Sequence, residues 1–149
     1  MRANLAEPMA PRALQLDPST VVAEPLLAID DLKTHIRTRG GLARVVDGVT
    51  LSVGRGQTLA VVGESGSGKS MLARSIMGIV PEPPGIRAGG RVLFDGRDLR
   101  SLSEREMSAI RGRDIAMVFQ DPMTSLNPVL RIGEQIAEVV RHHLGMDRA

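Results

Sequence analysis

At 149 residues, 42% hydrophobic and 24% charged, the chain has the balance of one folded domain, or part of one, rather than of a disordered polypeptide. Its net charge of +2 comes from 17 Arg and 2 Lys scattered among 17 acidic residues, and Phe94 and Phe119 are its only aromatics, which argues against a nucleic-acid surface of clustered cations and stacking rings. With no cysteine, disulfides, thiolate metal sites and Cys nucleophiles are excluded, and no run approaches the roughly 18 to 20 apolar residues that cross a bilayer.

In chain order, residues 1–24 are rich in Ala and Pro and lack periodicity, and they read as a disordered leader. Glu7, Pro8, Pro11, Arg12, Asp17 and Pro18 interrupt any apolar core that a signal peptide would need. From Leu26 the texture changes. Leu27, Ile29, Leu32 and Thr34–Ile36, then Val45–Val53 after a Gly40-Gly41 turn, predict two or three antiparallel strands. Thr58–Val62 is a short apolar run ending in glycine, the pattern of a buried parallel strand. Lys69–Ile79 predicts a helix, stopped by Gly78 and Pro81. Arg91–Phe94 with Asp95-Gly96 reads as a strand and tight turn, because Asp-Gly tolerates positive φ. Ser103 and Glu106 form a capping box for a short helix to about Arg111. Ile115–Phe119 reads as a second buried strand. A last helix is expected from Asn127-Pro128, with Ile132, Ile136, Val139, Val140 and His143 on one face before Gly145.

The chemistry sits between the Thr58–Val62 run and the helix that follows it. Gly63, Gly68, Lys69 and Ser70 match G-x-x-x-x-G-K-[ST], the P-loop. Glycines let the backbone curl so that successive N–H groups, from about Gly66 to Ser70, face phosphate oxygens, and the helix adds the positive end of its dipole. Lys69 is suited to reach the β- and γ-phosphates, and the Ser70 hydroxyl to ligate Mg²⁺, which prefers hard oxygen donors. A glycine turn matching by accident is expected in about one chain in a few hundred of this length. The loop by itself leaves kinases, GTPases, helicases and transport ATPases open. One reading lets Ile115–Asp121 act as a magnesium-holding strand ending in Asp121, which makes a small standalone P-loop kinase or NTPase.

Four segments separate these classes: Val-Gly-Glu-Ser-Gly-Ser-Gly-Lys-Ser at 62–70, Phe-Asp-Gly at 94–96, Ile-Arg-Gly-Arg at 110–113 and Met-Val-Phe-Gln-Asp-Pro-Met-Thr-Ser-Leu-Asn-Pro at 117–128. With these, the chain from about Leu26 onward resembles the ATP-binding subunits of oligopeptide and dipeptide ABC importers. The run from Gln120, followed by Gly133, Gln135 and Glu138, is similar to that branch's Q-loop.

The resemblance implies an α/β fold: a P-loop NTPase (RecA-like) core carrying an N-terminal antiparallel β subdomain, here the N-terminal part, 25–149, of an incomplete ABC ATPase domain. It implies ATP and Mg²⁺ as cofactors. Nucleotide contacts fall on Gly63, Glu64, Ser65, Gly66, Ser67, Gly68, Lys69, Ser70 and Met71, metal contacts on Ser70 and Gln120, and the catalytic and coupling role on Gln120. Family members stack adenine on an aromatic near the position of Ile36, so apolar contact from Ile36, or a seat beside His35, replaces ring stacking. The implied partners are permease subunits docked through Gln120–Asn127, a second ATPase subunit and, indirectly, a solute-binding protein. The implied location is the cytoplasmic face of the membrane, peripherally attached. No Leu-Ser-Gly-Gly-Gln signature, no apolar run ending in Asp-Glu and no switch histidine in a matching context occurs, while His142 and His143 read as helix-surface residues. The expectation is therefore a truncated or fragment-derived domain that binds ATP without efficient hydrolysis.

Overall fold

The structure, a computed structural model, describes residues 25–81, 83–120 and 126–144. The leader read over 1–24, the residue Asp121 and the centre of the predicted Q-loop lie outside the described residues.

Four antiparallel strands form one sheet in the order β2-β1-β3-β4. Strand β1 (Leu27–Thr38) turns at the glycines into β2 (Gly41–Val53), with Gly41 at φ 121°, and Thr38 Oγ1 donates to the Gly41 carbonyl at 2.9 Å. The two stretches expected before residue 38 are thus one continuous strand. Strand β3 (Gly85–Phe94) begins earlier than the Arg91 start expected and pairs with the other edge of β1, from Leu27↔Phe94 to Ile36↔Gly85. The Asp95-Gly96 turn then leads to β4 (Arg97–Asp98), with both turn residues at positive φ, 49° and 74°, as a type I′ hairpin requires.

All three long strands deviate at one level. Asp31 in β1 adopts φ 46°, Gly48 in β2 φ 75° and Gly90 in β3 φ 83°, each at a break in pairing register. Only glycine fits at 90, since a Cβ there would lie 2.3 Å from the Asp31 carbonyl oxygen. A second break skips Val45 between the pairs Thr34↔Val46 and His35↔Arg44, a β-bulge that the functional site uses.

One face of the sheet carries the core. Ile29, Leu32 and Val92 are essentially inaccessible, and burying each stabilises the fold by about 1.5–3 kcal/mol. Leu72 from helix α1 (Lys69–Ile76), Leu99 from the 3₁₀ turn Leu99–Ser101, and Met107 and Ile110 from helix α2 (Glu104–Ile110) complete it. The α2 capping box forms as read: the Ser103 hydroxyl accepts from Glu106 N at 3.4 Å, and the Glu106 carboxylate accepts from Ser103 N at 2.8 Å. Helix α1 stops at Ile76 rather than Ile79, because Gly78 takes φ 63° and ends the turn.

Three expectations fail in form. Thr58–Val62 belongs to no strand, with Val62 81% exposed. Ile115–Phe119 makes only an isolated parallel bridge, Arg111↔Ile115, and Val118 is 94% exposed. A strand exists only through a neighbour's backbone, and beyond that one bridge neither run has a ladder partner among the described residues. The last helix, α3 (Ile132–Leu144), starts four residues later than Pro128. Asn127 and Gln135 tie down the segment before it: Asn127 N donates to Gln135 Oε1 at 2.8 Å, and Gln135 Nε2 donates to the Asn127 carbonyl at 3.0 Å. Its apolar stripe, Ile132, Ile136, Val139 and Val140, is present but exposed.

Candidate functional site

Residues 63–70 curl over the start of α1 in a conformation that two glycines make accessible. Gly66 sits at φ 82° and Gly68, the residue capping α1, at φ 93°. Gly68 is constrained twice, because a Cβ there would also lie 2.6 Å from the carbonyl oxygen of Val45, the residue pushed out by the β2 bulge. The bulge thus places the Val45 carbonyl against the residue that caps α1, a position only glycine can fill. Gly63 is tight as well, its hypothetical Cβ only 2.9 Å from Ser67 Oγ.

The hydrogen-bond balance of the loop is lopsided. Between Gly63 and Ser70, Ser67 is the only described residue whose backbone N–H finds an acceptor, the Glu64 carbonyl at 3.3 Å. The remaining N–H groups are donors in search of an anion, and the N-terminus of α1 stands behind them with its partial positive charge. Lys69 does not reach outward. Its ammonium donates to the carbonyls of Gly63 at 2.7 Å and Glu64 at 2.6 Å and to Ser67 Oγ at 3.1 Å, which keeps the positive charge over the loop.

These residues fit a polyphosphate: uncommitted N–H donors, a cation already above them, and glycine positions where side chains would intrude. For magnesium the chain offers the exposed Ser70 hydroxyl, and no cluster of three or more His, Cys, Asp or Glu occurs among the described residues. Ser70 suits an ion that takes most of its oxygens from phosphates and water.

The other expected site residues are dispersed. Met71 lies in the first turn of α1, half-buried against the core. Ile36 pairs with Ala43 on β2, two residues before the Val45 bulge, and is half-buried. Beside it, His35 Nε2 is buried with no hydrogen-bond partner, 3.9 Å from Asp47 Oδ1. Gln120 is exposed, at a bend that ends the irregular segment following Ile115. Asp121, the magnesium residue of the competing reading, lies outside the described residues.

Two participants were missed in the sequence. Val45 acts through its backbone at a bulge, for which no residue pattern exists. Arg111 ends α2 with its side chain only 19% exposed, donating from Nε to the Met77 carbonyl at 2.8 Å and from Nη2 to the Gly78 carbonyl at 3.0 Å, and forming an ion pair with Glu104. That hydrogen bond from Arg111, more than their charge attraction, holds the Glu104 carboxyl below the ordinary carboxylate range. The Ile-Arg-Gly-Arg run at 110–113 marks Arg111 as part of a family-like segment, but nothing in it says which carbonyls the side chain grips.

A loop with open amides, backed by a helix N-terminus and shadowed by a lysine, is the working part of a P-loop nucleotide-binding protein, and that is the class the fold and site define. The family model described as ABC transporter matches residues 46–148, and the chain belongs to that family. It is 50% identical over 118 residues to the oligopeptide transport ATP-binding protein OppD of Bacillus subtilis, covering 79% of this chain and 33% of that protein. To the dipeptide transport ATP-binding protein DppD of the same organism it is 45% identical over 125 residues, 84% of this chain and 37% of the relative. A probable peptide ABC transporter ATP-binding protein, y4tR of Sinorhizobium fredii, is 48% identical over 127 residues, 85% of this chain and 38% of the relative. The chain therefore spans 33% to 38% of the length of these three relatives.

Proposed function

We propose that this chain is the nucleotide-holding part of an ATP-binding subunit that energises import of peptides, or of a related solute, across the cytoplasmic membrane. The observation that carries the reading is the loop's unmatched set of N–H donors beneath the Lys69 ammonium, in a chain of the ABC transporter family whose relatives are named for peptide transport. In this reading Gly63–Met71 hold the phosphates, and Lys69 exchanges its carbonyl partners for phosphate oxygens. The Ser70 hydroxyl holds Mg²⁺, which supplies neutralisation of the phosphate charge when bound. Ile36, one strand away from Val45, offers an apolar seat for adenine, and Gln120 serves as the nucleotide-sensing group of a loop that docks permease subunits through Asn127.

The domain begins near residue 25, and a second ATPase subunit and the permease complete the machine at the inner face of the membrane. No helix among the described residues is long and apolar enough to cross a bilayer, so attachment through a partner suits the chain. On this reading the 149-residue chain binds Mg-ATP without efficient hydrolysis, since the family's carboxylate run and signature segment do not occur in its sequence.

Calorimetric titration with Mg-ATP tests this. Lys69→Ala is expected to weaken binding at least about tenfold, the loss of one charge-assisted contact set, with an unchanged far-UV circular dichroism spectrum. Equal affinity in the two proteins would sink the binding role, and efficient Lys69-dependent phosphate release would sink the claim about hydrolysis.

A further inference from the structure

The Arg111 guanidinium and main chain hydrogen-bond to three parts of the fold that otherwise meet through the apolar core, where Ile76, Met107, Ile110 and Ile115 pack together. Helix α1 begins at the phosphate loop and, at eight residues, is a rod of about 12 Å. Its far end exposes the carbonyls of Met77 and Gly78, and Arg111 donates to both, at 2.8 and 3.0 Å, where the helix dipole also favours a cation. The other edge of the same planar fork pairs with Glu104 in the first turn of α2. The Arg111 main chain opens the next segment: it caps α2 through its N–H to the Met107 carbonyl at 2.9 Å and bridges in parallel to Ile115, while Gly112 N donates to the Ile115 carbonyl at 2.9 Å. Five residues beyond Ile115 is Gln120.

We propose that Arg111 is a positioning residue that couples occupancy of the phosphate loop to the placement of the segment carrying Gln120. The inference rests on the reading that the loop at 63–70 takes Mg-ATP. Anion binding at the N-terminus of α1 draws on the loop and on Lys69, the first residue of the helix. A short rigid helix passes any resulting shift to its last carbonyls, and Arg111 is the side chain that holds them. Because its fork is planar and its donors are fixed in relation to one another, Arg111 cannot keep Glu104 and both carbonyls if the helix end moves without moving too. The shift therefore reaches Ile115 through the backbone of Arg111, beside the bonds that Asp114 N and Ile115 N donate to the Ile110 carbonyl at 2.9 and 3.3 Å. Lysine, a single point of charge on a flexible stem, keeps an ion pair with Glu104 but does not reproduce the double grip on Met77 and Gly78.

The chain holds no cysteine, so Val118→Cys, at an exposed position two residues before Gln120, accepts a single environment-sensitive fluorophore. Mg-ATP is titrated into the labelled 149-residue chain, with binding followed independently by calorimetry. With Arg111 present, the label is expected to respond along the calorimetric isotherm. In Arg111→Met the response at saturation is expected to fall to about a fifth or less, in keeping with the weaker end of typical coupling between sites, while affinity changes by less than about threefold. A merely structural role would lower the melting temperature yet leave the saturating response intact. Should Arg111→Met fail to fold, as judged by circular dichroism, Arg111→Lys carries the same comparison with the charge retained. A full response in the variants, or a silent label in the Arg111 parent despite calorimetric binding, overturns the coupling alone. Absence of calorimetric binding in the parent overturns the nucleotide reading and the coupling with it.

Discussion

The antiparallel sheet and the irregular segments at 57–63 and 115–120 have similar apolar, β-branched sequences but different fates. Strand β1 is hydrogen-bonded along both edges, to β2 and to β3, and its Ile29 and Leu32 are sealed beneath α1 and α2. Val61, Val62, Val118 and Phe119 have the residue types of strands and remain exposed. Hairpin partners arrive after two turn residues, as Arg39-Gly40 and Asp95-Gly96 show, whereas a parallel neighbour needs a crossover of a dozen residues or more. The contrast teaches that apolar alternation records what a segment is suited to, and that connection length decides whether a short stretch of chain can supply the partner.

The sharpest way to break that comparison is to truncate one side chain in each region. Leu32→Ala should cost about 2–5 kcal/mol, as expected for a fully buried leucine whose site cannot collapse, whereas Val118→Ala should stay within about 0.5 kcal/mol. Urea denaturation followed by circular dichroism would separate the two, and similar midpoints would show that residues 115–119 are packed in solution. Next in size is Gly90→Ala. It sets a Cβ against the Asp31 carbonyl at a positive φ and should destabilise by about 1–3 kcal/mol, measured in the same way. A neutral result would mean that the aligned register breaks of β1, β2 and β3 can relax independently.

The smallest effect concerns acid. The Glu104, Glu106 and Asp114 carboxyls all sit below their ordinary values, held chiefly by hydrogen bonds from Arg111, Ser103 and Arg113 respectively. A depressed carboxyl contributes stability above its unfolded value, and this is lost as pH falls through the folded one. The urea midpoint should therefore drop between about pH 5 and pH 3. Glu104→Gln combined with Glu106→Gln should flatten that drop, and an unaltered slope would place the acid sensitivity elsewhere.

These regions also differ in how much of them could be read beforehand. The Asp95-Gly96 turn, the Ser103/Glu106 box and the 63–70 loop were legible because each is governed by a few neighbouring residues with special backbone or capping chemistry. The Gly78 stop of α1 was legible too, though the helix ends two residues before it, while the start of α3 was less so, since the Asn127–Gln135 bonds tie the preceding segment across eight residues. The expected strand at 58–62 was misjudged because its apolar pattern says nothing of a partner. In the site, Lys69 was anticipated as a reaching cation, but its folded-back position was not, because that depends on the Gly63 and Glu64 carbonyls turning inward. Nor could residue types announce the Val45 carbonyl behind Gly68.

That folded-back ammonium sets a threshold for what can enter. A ligand must offer Lys69 at least the equivalent of two carbonyls and a hydroxyl before the lysine gains by letting go. A lone carboxylate has two oxygens to share between the lysine and the loop's N–H groups, whereas a polyphosphate chain can satisfy both at once. On the proposed reading, the resting contacts of one side chain set the exchange that a bound polyphosphate has to match, with no wall or lid required.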